Sequence, residues 1–180
     1  MTPKFSPLFT RRQAVGGAIA AMSVAGLSGA RAATAAPTLS GEVILTLSGQ
    51  VGTPETGATT AFDLGMLDSL PQREIVTATP WHEGTPRFSG PTIDSVLEAA
   101  QARGAMLIIR ALNDYASDMP VEDARTIPVI LATRIDGKVI SVRDKGPIFV
   151  IYPFDQQPEL FNEVYFTRSV WQVTAIEVMG

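Results

Sequence analysis

The chain has no cysteine and one histidine, His82, among its 180 residues. The missing thiols exclude a disulfide framework, a thiolate metal site and a cysteine nucleophile together. One imidazole without thiols also falls short of the three or four N/S ligands that a zinc-type centre needs. A serine hydrolase would have to use His82, but there is no G-x-S-x-G elbow, and Ser89-Gly90-Pro91 lacks the strand–turn–helix setting. No glycine-rich phosphate loop occurs, since Gly16-Gly17 belongs to an N-terminal apolar run. Asp114 and Asp118 are too sparse to argue for a calcium loop.

That N-terminal run is the first thing the chain does have. Arg11-Arg12 precede a weakly apolar Ala/Gly stretch from Ala14 to Leu27, followed by small residues. Basic region, apolar region and A-x-A-like site are the layout of an export signal. Ala30-Arg31-Ala32 and Ala33-Thr34-Ala35 both suit cleavage. The glycines that dilute the run, and Arg31 beside the site, favour the twin-arginine route. An ordinary signal with a chance arginine pair and an uncleaved anchor are the other readings. Residues 1–35 are thus expected to be an export signal and 36–180 a single domain in the periplasm. Lys4, Arg11, Arg12 and Arg31 leave with the signal and no acid does, so ten basic residues face eighteen acidic ones, a net charge of −8. This balance disfavours nucleic acid and anionic membrane surfaces. The mature chain is not expected to be membrane-embedded.

The remaining pattern is rich in hairpins. "EVILTLSG" alternates as a half-buried strand, and "FDLGMLDSLP" reads as a short helix capped by Asp63 and ended by Pro71. "REIVTAT" is a β-branched strand, and Pro80–Pro91 reads as one long loop carrying Trp81 and His82. "PTIDSVLEAAQARG" is the firmest helix. "AMLIIRAL" reads as a strand buried on both faces. "NDYASDMP" is a turn into a short strand, "VEDART" a single helical turn, and Asp136-Gly137 a hairpin dipeptide. "PIFVIYP" is a continuously apolar strand, "QPELFNEVY" a helical turn or two, and "SVWQVTAIEV" a closing strand. About seven strands and two proper helices make an α+β domain with mixed sheets.

Three places could carry a ligand. Trp81, His82 and Glu83 could line a pocket, or Trp81 could fold onto the core and leave a solvated loop. Asn113-Asp114-Tyr115 could point into a cleft, or satisfy local backbone as turn residues do. Arg143-Asp144-Lys145 could cradle an anion, with Gly146 allowing close approach of the backbone, or be an exposed hairpin end packed over Ile148–Tyr152.

The order of "IVTATPWHEGTPRFSGPTIDSVLEAA", "ALNDYASDMPVED", "PVILATRIDGKVISVRDKGPIFVIYP" and "RSVWQVTAIEV" resembles the molybdopterin-binding domain of the sulfite oxidase family, and its small exported bacterial members more closely. The resemblance runs from about Val43 to Val178. It implies an α+β fold with mixed sheets and a β-grasp-like part, and a cofactor loaded before export. Family enzymes place a metal-binding cysteine shortly before the tryptophan loop. Here the position falls on Thr77 or Thr79, whose hydroxyl does not replace a soft thiolate. Cations that hold the pterin phosphate in the family correspond to Gly146-Pro147-Ile148-Phe149 and Val170-Trp171-Gln172. No catalytic residue, metal or cofactor is therefore expected. The favoured reading is a non-catalytic ligand-binding or protein-interaction module. Its partners would be a small anionic ligand or a periplasmic or membrane protein. The alternative is a molybdopterin-dependent oxidoreductase that holds its cofactor without the cysteine. Thr77, Trp81, His82, Asn113, Asp114, Tyr115, Arg143 and Lys145 are the candidate site residues, and the loops Trp81–Phe88, Asn113–Tyr115 and Arg143–Lys145 could converge on one surface.

Overall fold

Alternation in the first strand shows how the core begins. In the computed structural model, which describes residues 39–52 and 59–180, β1 (Val43–Gly49) buries Leu45 and Leu47 completely. Each such burial stabilises by about 1.5–3 kcal/mol. β2 (Thr60–Asp63) pairs antiparallel with β1 and runs directly into α1 (Leu64–Ser69). Asp63 caps that helix as expected, accepting the Met66 N–H at 2.7 Å. Its second oxygen accepts the Ser40 and Gly41 amides at 2.6 and 2.7 Å, so one buried carboxylate ties the lead-in segment to the helix. The expected export signal, residues 1–35, lies outside the described residues.

β3 (Gln72–Val76) pairs with β4 (Arg87–Pro91). The long loop expected over Pro80–Pro91 therefore ends at Pro86. Gly90 and Pro91 hide the strand from its alternation pattern. A side chain at Gly90 would run into the Leu131 carbonyl, so the two backbones pack with nothing between them. Thr92 caps α2 (Ile93–Ala99), which buries Ile93, Val96 and Leu97.

Next come β5 (Met106–Ala111), β6 (Ala116–Pro120), α3 (Val121–Thr126) and β7 (Ile130–Ala132). β8 (Arg134–Ile135) and β9 (Lys138–Val139) follow, joined at Asp136-Gly137 with φ of 49° and 76°, the expected tight hairpin. β10 (Phe149–Ile151), α4 (Glu163–Arg168) and β11 (Val173–Met179) complete the order.

The five-stranded sheet runs β2-β1-β11-β5-β6, with β1 and β11 parallel and the other pairs antiparallel. A second sheet runs β3-β4-β8-β9, and β7 pairs with β10. This is the expected α+β fold with mixed sheets. β5 corrects one expectation, because it is buried on one face only: Leu107 and Ile109 point inward and Arg110 pairs with Glu177 outside at 3.1 Å.

The strands buried on both faces are β10 and its partner β7. Phe149 and Ile151 join a small core with Ile75, Phe88, Ile130, Ala132 and Ile140. Ile148, Val150 and Tyr152 join the main core. Two cores meet through one pair of short strands, so both registers of each strand must be apolar. Among the described residues no helix is long and apolar enough to cross a membrane.

Candidate functional site

The loop after β3 places its two informative residues in different clefts. Thr79 and His82 form an isolated antiparallel bridge, and Gly84 takes φ of 70° as the chain turns back. Trp81 lines one cleft and His82 the other. The Phe149 ring packs on both, with centroids 5.5 Å from Trp81 and 5.9 Å from His82. The single converging surface expected for the three loops is therefore two clefts, with the buried Phe149 ring packed between Trp81 and His82.

The first cleft, about 270 Å³, is walled by Trp81, Trp171, Tyr115 and Phe166, with Asn113 and Ser169 among its polar groups. Trp81 and Trp171 meet edge to face at 5.7 Å, and Trp81 meets Phe166 at 6.0 Å. The β5–β6 turn delivers Asn113 and Tyr115. Asn113 Oδ1 accepts the Tyr115 N–H at 3.2 Å, the local turn role open to it. The Tyr115 hydroxyl donates to the Thr167 carbonyl at 3.1 Å and fastens the turn to α4. Asp114, at φ of 64°, is exposed and lines neither cleft.

The second cleft, about 400 Å³, is lined by His82, Lys138, Arg143 and Lys145 together with Asp136 and Asp144. Arg143-Asp144-Lys145 is not a hairpin end. It belongs to a 3-10 turn, Val142–Asp144, between strands of different sheets, with Lys145 left-handed at φ of 75°. The Ser141 carbonyl accepts the amides of Asp144 and Gly146 at 2.9 and 2.8 Å. The Ser141 hydroxyl donates to Asp144 Oδ2 at 2.8 Å, holding that acid within its own turn. Gln172 ties the turn to the entry of β11 through bonds to the carbonyls of Lys145 (2.9 Å) and Val142 (2.7 Å). Gly146 is needed for packing rather than for ligand approach, since a side chain there would strike the Ile140 carbonyl. Lys138, Arg143 and Lys145 form no ion pair among the described residues.

His82 is oriented by Thr79, whose Oγ1 lies 3.0 Å from Nδ1. The same oxygen accepts the Trp81 N–H at 3.4 Å. One hydroxyl oxygen thus contacts both the His82 ring and the Trp81 amide, and the imidazole tautomer sets which way the ring bond runs. Burial, and then the positive charge of Lys145, hold the His82 pKa below its ordinary value.

Thr77 is fully buried and lines neither cleft. Its hydroxyl accepts the Asp155 N–H at 3.0 Å, and Asp155 Oδ2 accepts the Ala78 N–H at 3.1 Å, so the two loops are stitched together. Trp171, Phe166, Ser169 and Lys138 were not expected at a site. One signal was present: the chain has two tryptophans, and both line the same cleft.

No family model matches the chain, and no curated protein matches it. Among solved structures it is similar to the crystal structure of the sulfane dehydrogenase SoxCD from Paracoccus pantotrophus. The TM-score is 0.57 with 14% identity, over 75% of this chain and 37% of that one. The chain thus spans well under half the length of this neighbour, and the likeness is one of fold.

Molybdopterin, implied by the family resemblance, was tested against the side chains. The chain has no thiol, and of the two threonines that could stand at the corresponding position, Thr77 is engaged with Asp155 and Thr79 with His82 and the Trp81 amide. Among the described residues no three His, Asp or Glu side chains cluster closely enough to hold a metal. A thiolate or a carboxylate–imidazole cluster for the molybdenum of that group is thus lacking among the described residues.

Proposed function

We propose that the chain is an exported, non-catalytic binding module on this fold, and that it takes a small anion in the cleft beside His82. The observation that carries this reading is the meeting of Lys138, Arg143 and Lys145 on one cleft without an ion pair, in a domain with a surplus of acid. Three cations against two acids, Asp136 and Asp144, leave the lining with a net positive charge that a small anion would balance, and a protonated His82 would add a further donor. The Arg11-Arg12 signal pattern is what supports export and a periplasmic location for the module.

The lone histidine is the reporter. An anion close to the imidazole stabilises its charged form, so sulfate or phosphate should raise the His82 pKa, read by NMR, by about one pH unit. Lys145→Ala should remove most of that response while leaving the fold intact, because the Lys145 side chain makes no hydrogen bond or ion pair among the described residues. A His82 titration unmoved by tens of millimolar of either anion would overturn the anion site. Protein exported through its own signal should carry neither molybdenum nor pterin. Near-stoichiometric amounts of both would overturn the non-catalytic reading.

A further inference from the structure

The aromatic cleft makes a different demand from the cationic one. Among the described residues no Asp, Glu, Lys or Arg lines it; its polar groups are Asn113, Tyr115, Thr167, Ser169 and two indoles. A charged ligand entering there would lose water without gaining a counter-charge. The hydroxyls are already used as donors inside the protein: Tyr115 to the Thr167 carbonyl, Thr167 to Val164 at 2.8 Å, and Ser169 to Tyr165 at 2.8 Å. The Asn113 carbonyl oxygen is used as well. Among the described residues, the side-chain donors of the lining without a protein partner are the two indole N–H groups and the Asn113 amide nitrogen. A ligand that satisfies them must bring acceptors.

The walls favour a ring. Trp81 meets Phe166 and Trp171 at 82° and 64°, so the lining presents edges and faces at steep angles to each other. A further flat ring can make edge-to-face or offset contacts with such a lining. The space exists because Ala111 stands among these large side chains; it is the smallest residue of the lining and is itself buried. The walls are also fixed in advance. α4, which carries Phe166 and Thr167, is held by the Arg168–Asp123 bond at 2.7 Å and by the Tyr115 hydroxyl. Walls already in place reduce the ordering cost of binding.

We propose that this cleft is a second binding site, separate from the anion cleft, for a small uncharged aromatic molecule bearing a carbonyl-type acceptor. Three probes of equal ring size test it: benzamide, benzoate and phenyltrimethylammonium, each followed through the two indole N–H signals in ¹H–¹⁵N spectra. Benzamide should move both signals saturably, with a Kd of about 1 mM, as expected for a fragment of its size. The two charged probes should bind at least about tenfold more weakly. Asn113→Ala should weaken benzamide by roughly fivefold, from the loss of one hydrogen bond. Thr167→Phe, on the exposed surface of α4, should block it outright while the thermal midpoint stays near wild type.

A charged probe that binds as tightly as benzamide would overturn the ligand class. Absence of saturation, or benzamide binding unchanged in Thr167→Phe, would overturn the site. Movement of the His82 signals by benzamide as large as that of the indoles would overturn its separateness. None of these outcomes depends on whether sulfate or phosphate binds at His82.

Discussion

Arg168→Met tests whether the far wall of the aromatic cleft rests on one partly buried charge. Arg168 donates to Asp123 Oδ2 at 2.7 Å, and the Tyr152 hydroxyl donates to the same oxygen at 2.9 Å. The two charged side chains are 21% and 13% exposed, so the pair is neither a surface bridge nor a dry one. Exposed pairs contribute about 0.2–1 kcal/mol. Stripping one partner from a fully buried pair costs about 3–5 kcal/mol. The intermediate exposure places the loss at about 2 kcal/mol. The guanidinium also sits 5.4 Å from the Tyr165 ring centroid, which adds about 0.5 kcal/mol. Methionine keeps the apolar stem, so packing changes little. With a urea dependence of about 2 kcal/mol per molar, the denaturation midpoint should fall by about 1 M. Tyr152→Phe removes one hydrogen bond and keeps the ring against Phe154 and Tyr165, so it should cost about 1 kcal/mol. Both changes act on one oxygen, and the double variant should cost less than the sum. An Arg168→Met midpoint within about 0.3 M of wild type would mean that water replaces the guanidinium, and the reasoning fails.

Two further outcomes follow from single side chains. The amides of Met66, Ser40 and Gly41 hold the Asp63 carboxyl down to about 2. Because the folded value lies below the unfolded one, its stabilisation is complete above about pH 4 and is lost as pH falls through about 2. Asp63→Asn should therefore flatten the thermal midpoint between about pH 4 and pH 2; an acid limb as steep as wild type would show that other carboxylates carry it. Thr77→Val keeps the shape and removes the acceptor of the Asp155 N–H, so chemical denaturation should show a loss of about 1–3 kcal/mol. A neutral result would mean that the hydroxyl is not what joins the two loops.

Much of the framework was legible because local chemistry agreed with the fold. The Asp63 and Thr92 caps, the Asp136-Gly137 turn and the alternation of Leu45 and Leu47 each encode their element within a few residues. The misreadings came from tertiary context. β4 was hidden by Gly90, which is there for the Leu131 backbone and carries no pattern of its own. "AMLIIRAL" and "PIFVIYP" look alike as apolar runs, yet one sits at the face of a sheet and the other between two cores. Run length alone does not separate those environments. At the site, Trp81, Tyr115 and Lys145 were found by type, but their grouping depended on how the loops pack.

The adjacency of Trp81 and His82 shows why that grouping could not be read along the chain. Pro80 and Trp81 form the turn between the bridged pair Thr79 and His82, so the corner residue and the residue on the returning arm become the nearest members of two different clefts. Thr79 fixes the divergence by bonding the His82 ring and the Trp81 amide through one hydroxyl oxygen. Phe149, fully buried, then packs against both rings and keeps the clefts distinct. A thiol at the position of Thr77 would have suggested one centre serving all the loops. The threonine hydroxyl is instead spent on joining two loops, which leaves an uncharged aromatic cleft and a cationic one with separate chemistries on a shared scaffold.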